Sequence, residues 1–113
     1  MNRNAPINQA EVEEKLRILC EMLESDTEEF EALAVDEAEK GARYKAKWAG
    51  LFMQTSGTGP VRDATADWKT SDEHFHWKVA EALVKAKREK LSSTRSQLEA
   101  YRSIAANVRM SAG

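Results

Sequence analysis

Cysteine occurs once, as Cys20, so the chain cannot form a disulfide within itself and a reducing compartment is expected. There are only two prolines and five glycines, which leaves long stretches without a backbone breaker. Aromatic residues make up 7% of the chain, too little for a large aromatic core. No apolar run approaches the roughly 20 residues of a membrane span, so no membrane partner is expected. The opening MNRNAPINQAEVEEK has no apolar stretch of signal-peptide type, and a cytoplasmic location follows as an expectation. Strand-type alternation of apolar and polar residues is absent as well.

Catalytic patterns are equally scarce. His74 and His76 are two apart, the wrong spacing for one helical face, and no HExxH arrangement accompanies them. SGTGP, residues 56–60, contains Gly-x-Gly, but no strand precedes it and no Lys-Ser/Thr follows. No nucleophile–base–acid set stands out. The expectation is therefore no enzyme, no metal and no cofactor. Cys20 sits at the edge of the apolar arc and reads as a small buried thiol.

What is present is helical periodicity in a chain of one domain's length, 113 residues. Val12, Leu16, Leu19, Leu23, Phe30, Leu33, Tyr44, Trp48 and Leu51 recur mostly at steps of three and four. After QTSGTGP, residues 54–60, the period resumes through Val61, Ala64, Trp68, Phe75, Val79, Leu83, Ala86, Leu91, Leu98, Tyr101, Ala105 and Val108. Gly57 suits a left-handed helix end, Thr58 a cap and Pro60 a first helical turn. The spacing predicts an all-α hairpin, residues 1–113 as one domain, with helices over about 8–54 and 61–108 and a turn at 55–60. Capping-box spacing at Ser25/Glu28, Asp26/Glu29 and Thr70/Glu73 marks places where a helix could break. The apolar period carries through them, so two uninterrupted helices are expected.

Charge is divided unevenly. Residues 11–39 hold twelve acids against Lys15 and Arg17, and residues 78–109 hold eight bases against Glu81, Glu89 and Glu99. A fold at 55–60 makes the helices antiparallel and sets residue i opposite residue 116 − i. The acidic stretch then lies along the basic one, so the asymmetry reads first as intramolecular complementarity and second as a nucleic-acid patch. Two helices alone leave their apolar stripes half wet. A homo-oligomer is therefore expected, at least a dimer in a helical bundle, or a ring.

KGARYKAKW, residues 40–48, combines four cations with two rings. At about 100° per residue from Lys40, Tyr44, Trp48 and Phe52 fall between about 40° and 120°, on the arc of Val12, Leu19 and Phe30. They continue the buried stripe. Lys40, Arg43 and Lys47 line one edge and Lys45 the other. The returning helix reads DWKTSDEHFHWK, residues 67–78. Trp68 and Phe75, seven apart, share a face and are expected in the core or an oligomer contact with Tyr44, Trp48 and Phe52. Trp77 points elsewhere and is expected to be an exposed or interface aromatic. Lys40, Arg43, Lys45, Lys47, Lys69 and Lys78, with Trp77 as a stacking ring, are the candidate single-strand-binding set, since such surfaces need cations for phosphates and rings for bases. An oligomer contact enriched in tryptophan explains the same residues.

YKAKWAGLF (44–52), SGT, PVRDA and AEALVKAKREKLSSTRSQLEAYRSIAANVR (80–109) resemble small helical proteins of actinobacterial phages, over about two-thirds of the chain. Their layout is distantly similar to UvsY-type phage recombination mediators, in the Tyr44, Lys47 and Trp48 helix, the short loop and the long basic helix. That resemblance implies a non-enzymatic accessory of DNA recombination or replication in the cytoplasm of an infected bacterial host. It implies single-stranded DNA, a recombinase or a single-strand binding protein as partners. The competing expectation is a coiled-coil adaptor or inhibitor that grips a host or phage protein and touches no nucleic acid. Trp48-Ala49-Gly50 also resembles the Trp-x-Gly of WXG secreted hairpins, where that motif forms the turn.

Overall fold

The computed structural model describes residues 8–112, which form three helices: α1 Gln9–Gln54, α2 Gly59–Lys69 and α3 Ser71–Ala112. No strand occurs among the described residues, and the fold is all-α. Asn8 starts α1, its side-chain Oδ1 accepting the Glu11 N–H at 2.9 Å and its carbonyl the Val12 N–H at 3.2 Å. Neither Ser25 nor Asp26 interrupts the helix. The turn falls where expected. Gly57 takes φ 119°, a conformation other residues resist, and Thr58 precedes α2 with Pro60 in its first turn.

The second helix is not continuous. Thr70 is fully buried and takes φ −111°, ψ 13° between α2 and α3. Both its N–H and its hydroxyl donate to the Ala66 carbonyl, at 3.1 and 2.6 Å, and the Ser71 hydroxyl donates to the Trp68 carbonyl at 3.0 Å. Side chains that bond back to the preceding turn compete with helix continuation. The Thr70 spacing therefore marked a real boundary, and the single helix expected over 61–108 is two.

The chain forms two compact units. Of the described residues, the first comprises 8–29 and 87–112, and the second 30–86. In the first, α1 packs Val12, Leu19 and Asp26 against Leu91, Thr94 and Leu98 of α3, all buried. Lys15 lies over the Tyr101 ring at 5.9 Å, Lys90 pairs with Asp26 and Lys87 with Glu29. The residue numbers of each pair add to 116, the register dictated by a fold at 55–60. In this unit the charge complementarity centres on Asp26. Asp26 is only 4% exposed and receives both Lys87 and Lys90, at 3.3 and 3.0 Å. Arg17 instead pairs along its own helix with Glu14 and Glu21. Cys20 is exposed, contrary to the expectation of a buried thiol.

The seam along α2 and α3 differs from the expected stripe. From residue 66 to 101, the positions that are not exposed are Ala66, Thr70, Glu73, Trp77, Ala80, Val84, Lys87, Leu91, Thr94, Leu98 and Tyr101. They alternate steps of four and three without a slip at Thr70, the period of a coiled-coil seam. From Leu91 onward this is the predicted stripe. Before it, the predicted residues Val61, Ala64, Trp68, Phe75, Val79, Leu83 and Ala86 are exposed.

Candidate functional site

The second unit holds every tryptophan of the chain and the basic residues singled out above. Its seam is built on fit. Gly41 is buried on α1, and the Trp77 indole lies against it so closely that a Cβ there would sit 2.7 Å from Nε1. The ring stacks on Tyr44 at 5.4 Å and donates Nε1–H to Glu37 at 3.2 Å. Trp48 mirrors this arrangement, stacking on Phe52 at 5.3 Å and donating its Nε1–H to Asp67 at 2.8 Å. Both indoles thus bury a flat face while a carboxylate satisfies the N–H. Small residues at Gly41, Ala66 and Ala80 make room for large ones, which is why this face packs although Phe75, Val79 and Leu83 offer more apolar area.

Tyr44, Trp48 and Phe52 are accordingly half-buried, as the helical arc predicts. Two expectations are corrected. Trp77, read as an exposed or interface ring, is half-buried in the seam of its own unit. Trp68 and Phe75, read as sharing the buried stripe, are 75% and 63% exposed and stand outside the core of their own unit. Trp77 and Phe75 are two apart and so on different faces, and the glycine opposite decides which of them turns inward.

The cations divide by partner. Lys40 pairs with Asp36 at 2.9 Å, and Lys47 with Glu73. The Lys47 hydrogen bond, with help from the Glu73 backbone N–H, lowers the Glu73 carboxyl below its ordinary range. Lys45 and Lys78 lie over the Trp77 ring at 5.3 and 4.5 Å, and Lys78 also reaches Glu81 at 3.4 Å. These contacts leave Arg43 and Lys69 as the candidates with no ion pair or ring partner among the described residues. Of the two histidines, His74 packs on Tyr44 at 5.0 Å and His76 on Phe75 at 5.8 Å.

Sequence reasoning missed Arg62. Its Nε donates to the Phe52 carbonyl at 2.9 Å and its guanidinium lies 4.3 Å from the Phe52 ring centroid. The last turn of α1 has no base of its own, so Arg62 supplies the cation that its carbonyl end favours and ties α2 to α1. Gly41 was also missed. A glycine inside a helical pattern, facing tryptophans, signals close approach. Gly50, in the Trp-x-Gly, is helical with nothing within 4 Å of a built Cβ, and the turn lies beyond it. No group of three or more His, Cys, Asp or Glu among the described residues could hold a metal ion. No described helix is long and apolar enough to cross a membrane.

Comparisons with family models, with curated proteins and with solved structures find no match to this chain.

Proposed function

We propose that the chain is a non-enzymatic helical assembly protein whose contacts are made through the exposed apolar face of its second unit, first of all with another copy of itself. The observation that carries this reading is the exposure of Trp68 (75%), Phe75 (63%), Val61 (52%), Leu83 (49%) and Val79 (42%) at helical spacing. A buried aromatic contributes about 150–250 Å², so the five leave on the order of 600 Å² of apolar side chain open. Two such faces in contact would remove about 1,200 Å² from water, the lower end of a stable interface. Isolated exposed apolar residues are ordinary, but five large ones at helical spacing mark an interaction site.

Sedimentation equilibrium tests the reading. The native chain is expected to sediment above the 12.7 kDa of a monomer, and Trp68→Ser/Phe75→Ser as a monomer with unchanged helicity. Neither ring is in the seam, so the double variant should keep its fold. A native chain that stays monomeric at high concentration contradicts self-association and favours the adaptor reading, with a different protein on the same face.

The second reading is the recombination-accessory role with single-stranded DNA as partner. It is supported by the unpaired Arg43 and Lys69 and by exposed rings, now Trp68 and Phe75 in place of Trp77. Anisotropy of a labelled oligonucleotide across a salt series decides it, since phosphate contacts make affinity fall steeply with salt. Absence of binding at low salt rules it out.

A further inference from the structure

Beside the seam of the second unit, α1 and the first turns of α3 enclose a cleft of about 240 Å³ lined by Lys40, Arg43, Glu73 and His76. Residues 40 and 43 are one turn apart on α1, as are 73 and 76 on α3, so each helix offers two side chains to the same space. We propose that this cleft is a binding site for a phosphoryl group, held by the Arg43 guanidinium and the His76 imidazole. It adjoins the apolar face, since the His76 ring packs on Phe75 at 5.8 Å, but it does not require self-association.

The charges around the cleft carry the argument. Asp36 occupies Lys40, and Lys47 occupies Glu73, so these four cancel in pairs. Asp72, the other acid of the first turn of α3, does not line the cleft. Arg43 is left as an uncompensated cation whose planar fork matches a tetrahedral oxyanion. His76 adds a second positive charge on the opposite wall when protonated, and imidazole is the side chain whose charge ordinarily changes between pH 5 and 8. The groups facing it are Lys40 and Arg43 from α1 and Glu73 from its own helix. The surplus around the cleft is thus positive, which suits a phosphomonoester or a strand's phosphodiester. The volume leaves room for the group that bears the phosphate.

The test is an NMR titration of the full chain with sulfate, which keeps its charge between pH 5.5 and 8, so that any pH dependence belongs to the protein. Shifts are expected at the Arg43 side-chain N–H and the His76 ring, with affinity about tenfold higher at pH 5.5, the scale of one charge-assisted hydrogen bond. Arg43→Gln should lose about tenfold at both pH values. His76→Gln should abolish the pH dependence, while His74→Gln, which alters a ring packed on Tyr44, should leave it intact. Arg43 and His76 are exposed, so the helical circular dichroism of these variants should match the native chain. Parallel titrations with a nucleoside 5′-monophosphate and with oligo-dT identify whether free phosphomonoesters or strands bind more tightly, and either result supports the site. No shift at Arg43 and His76, or a pH dependence that survives His76→Gln, overturns it.

Discussion

Gly41→Val is expected to destabilise the protein by about 2–3 kcal/mol, the cost of overpacking a seam that has no slack. The added Cβ alone would meet Trp77 Nε1 at 2.7 Å, Cε2 at 3.1 Å and Cδ1 at 3.2 Å. The obstacle is the edge of a rigid ring, not the tip of a flexible chain. That ring is fixed by Tyr44, by the Glu37 carboxylate and by Lys45 and Lys78. Moving it would free the Glu37 bond and open the stack together. Gly50 provides the control, because nothing lies within 4 Å of its built Cβ. Gly50→Ala should gain up to about 1 kcal/mol from helix propensity alone. Urea unfolding of the two variants separates the effects, and a Gly41→Val chain as stable as the native one would show that Trp77 is not seated there.

Asp26→Ala should bring the largest loss of melting temperature among single charge removals in the first unit. It leaves Lys90 without its partner and Lys87, whose side chain is 15% exposed, with Glu29 alone, while removing an acid buried in the seam. Breaking a buried pair from one side leaves an uncompensated charge. Glu29→Gln, which touches only the outer end of Lys87, should cost much less, because the Glu29 side chain is 57% exposed. The pH dependence has a definite sign. Hydrogen bonds from Lys90 and then Lys87 lower the Asp26 carboxyl below its usual range. Its contribution is therefore present above the unfolded value, about 3.9, and is lost as pH falls through the depressed folded value. Lys87 is raised, chiefly by its bond to Glu29. Its contribution is complete below the ordinary lysine value and disappears as pH rises through the raised one. The cluster predicts a plateau between these limits, with an acid limb that shrinks in Asp26→Asn. Melting curves from pH 2 to 8 check it.

The helices and the register were legible in the sequence because they follow from local rules. Steps of three and four, a Gly57 turn and the 116 − i pairing need no knowledge of neighbours. The seam before residue 87 was not legible. Two apolar stripes compete on the same helical stretch, and hydrophobicity favours the one with Trp68, Phe75, Val79 and Leu83. The stripe that packs contains Thr70 and Glu73, whose polar atoms are satisfied by Ala66 and Lys47. Its advantage is the space opposite, at Gly41, which appears only when both helices are in register. The Thr70 break was visible as a capping-box spacing but weighed less than the apolar period. The cations of KGARYKAKW were placed on the correct edges of α1. Which of them were already spoken for depended on Asp36, Glu73 and Trp77, residues at helical or cross-helix distance.

The account rests on one inner seam holding Trp48 and Trp77 and one outer face presenting Trp68. Fluorine NMR of the 5-fluorotryptophan-labelled chain, with a soluble paramagnetic quencher in dilute and concentrated samples, reads all three sites at once. The predicted result is weak broadening of Trp48 and Trp77 at both concentrations, with Trp68 strongly broadened when dilute and protected when concentrated. A Trp68 signal equally broadened at every concentration, or a Trp77 signal that is the most broadened of the three, would contradict it.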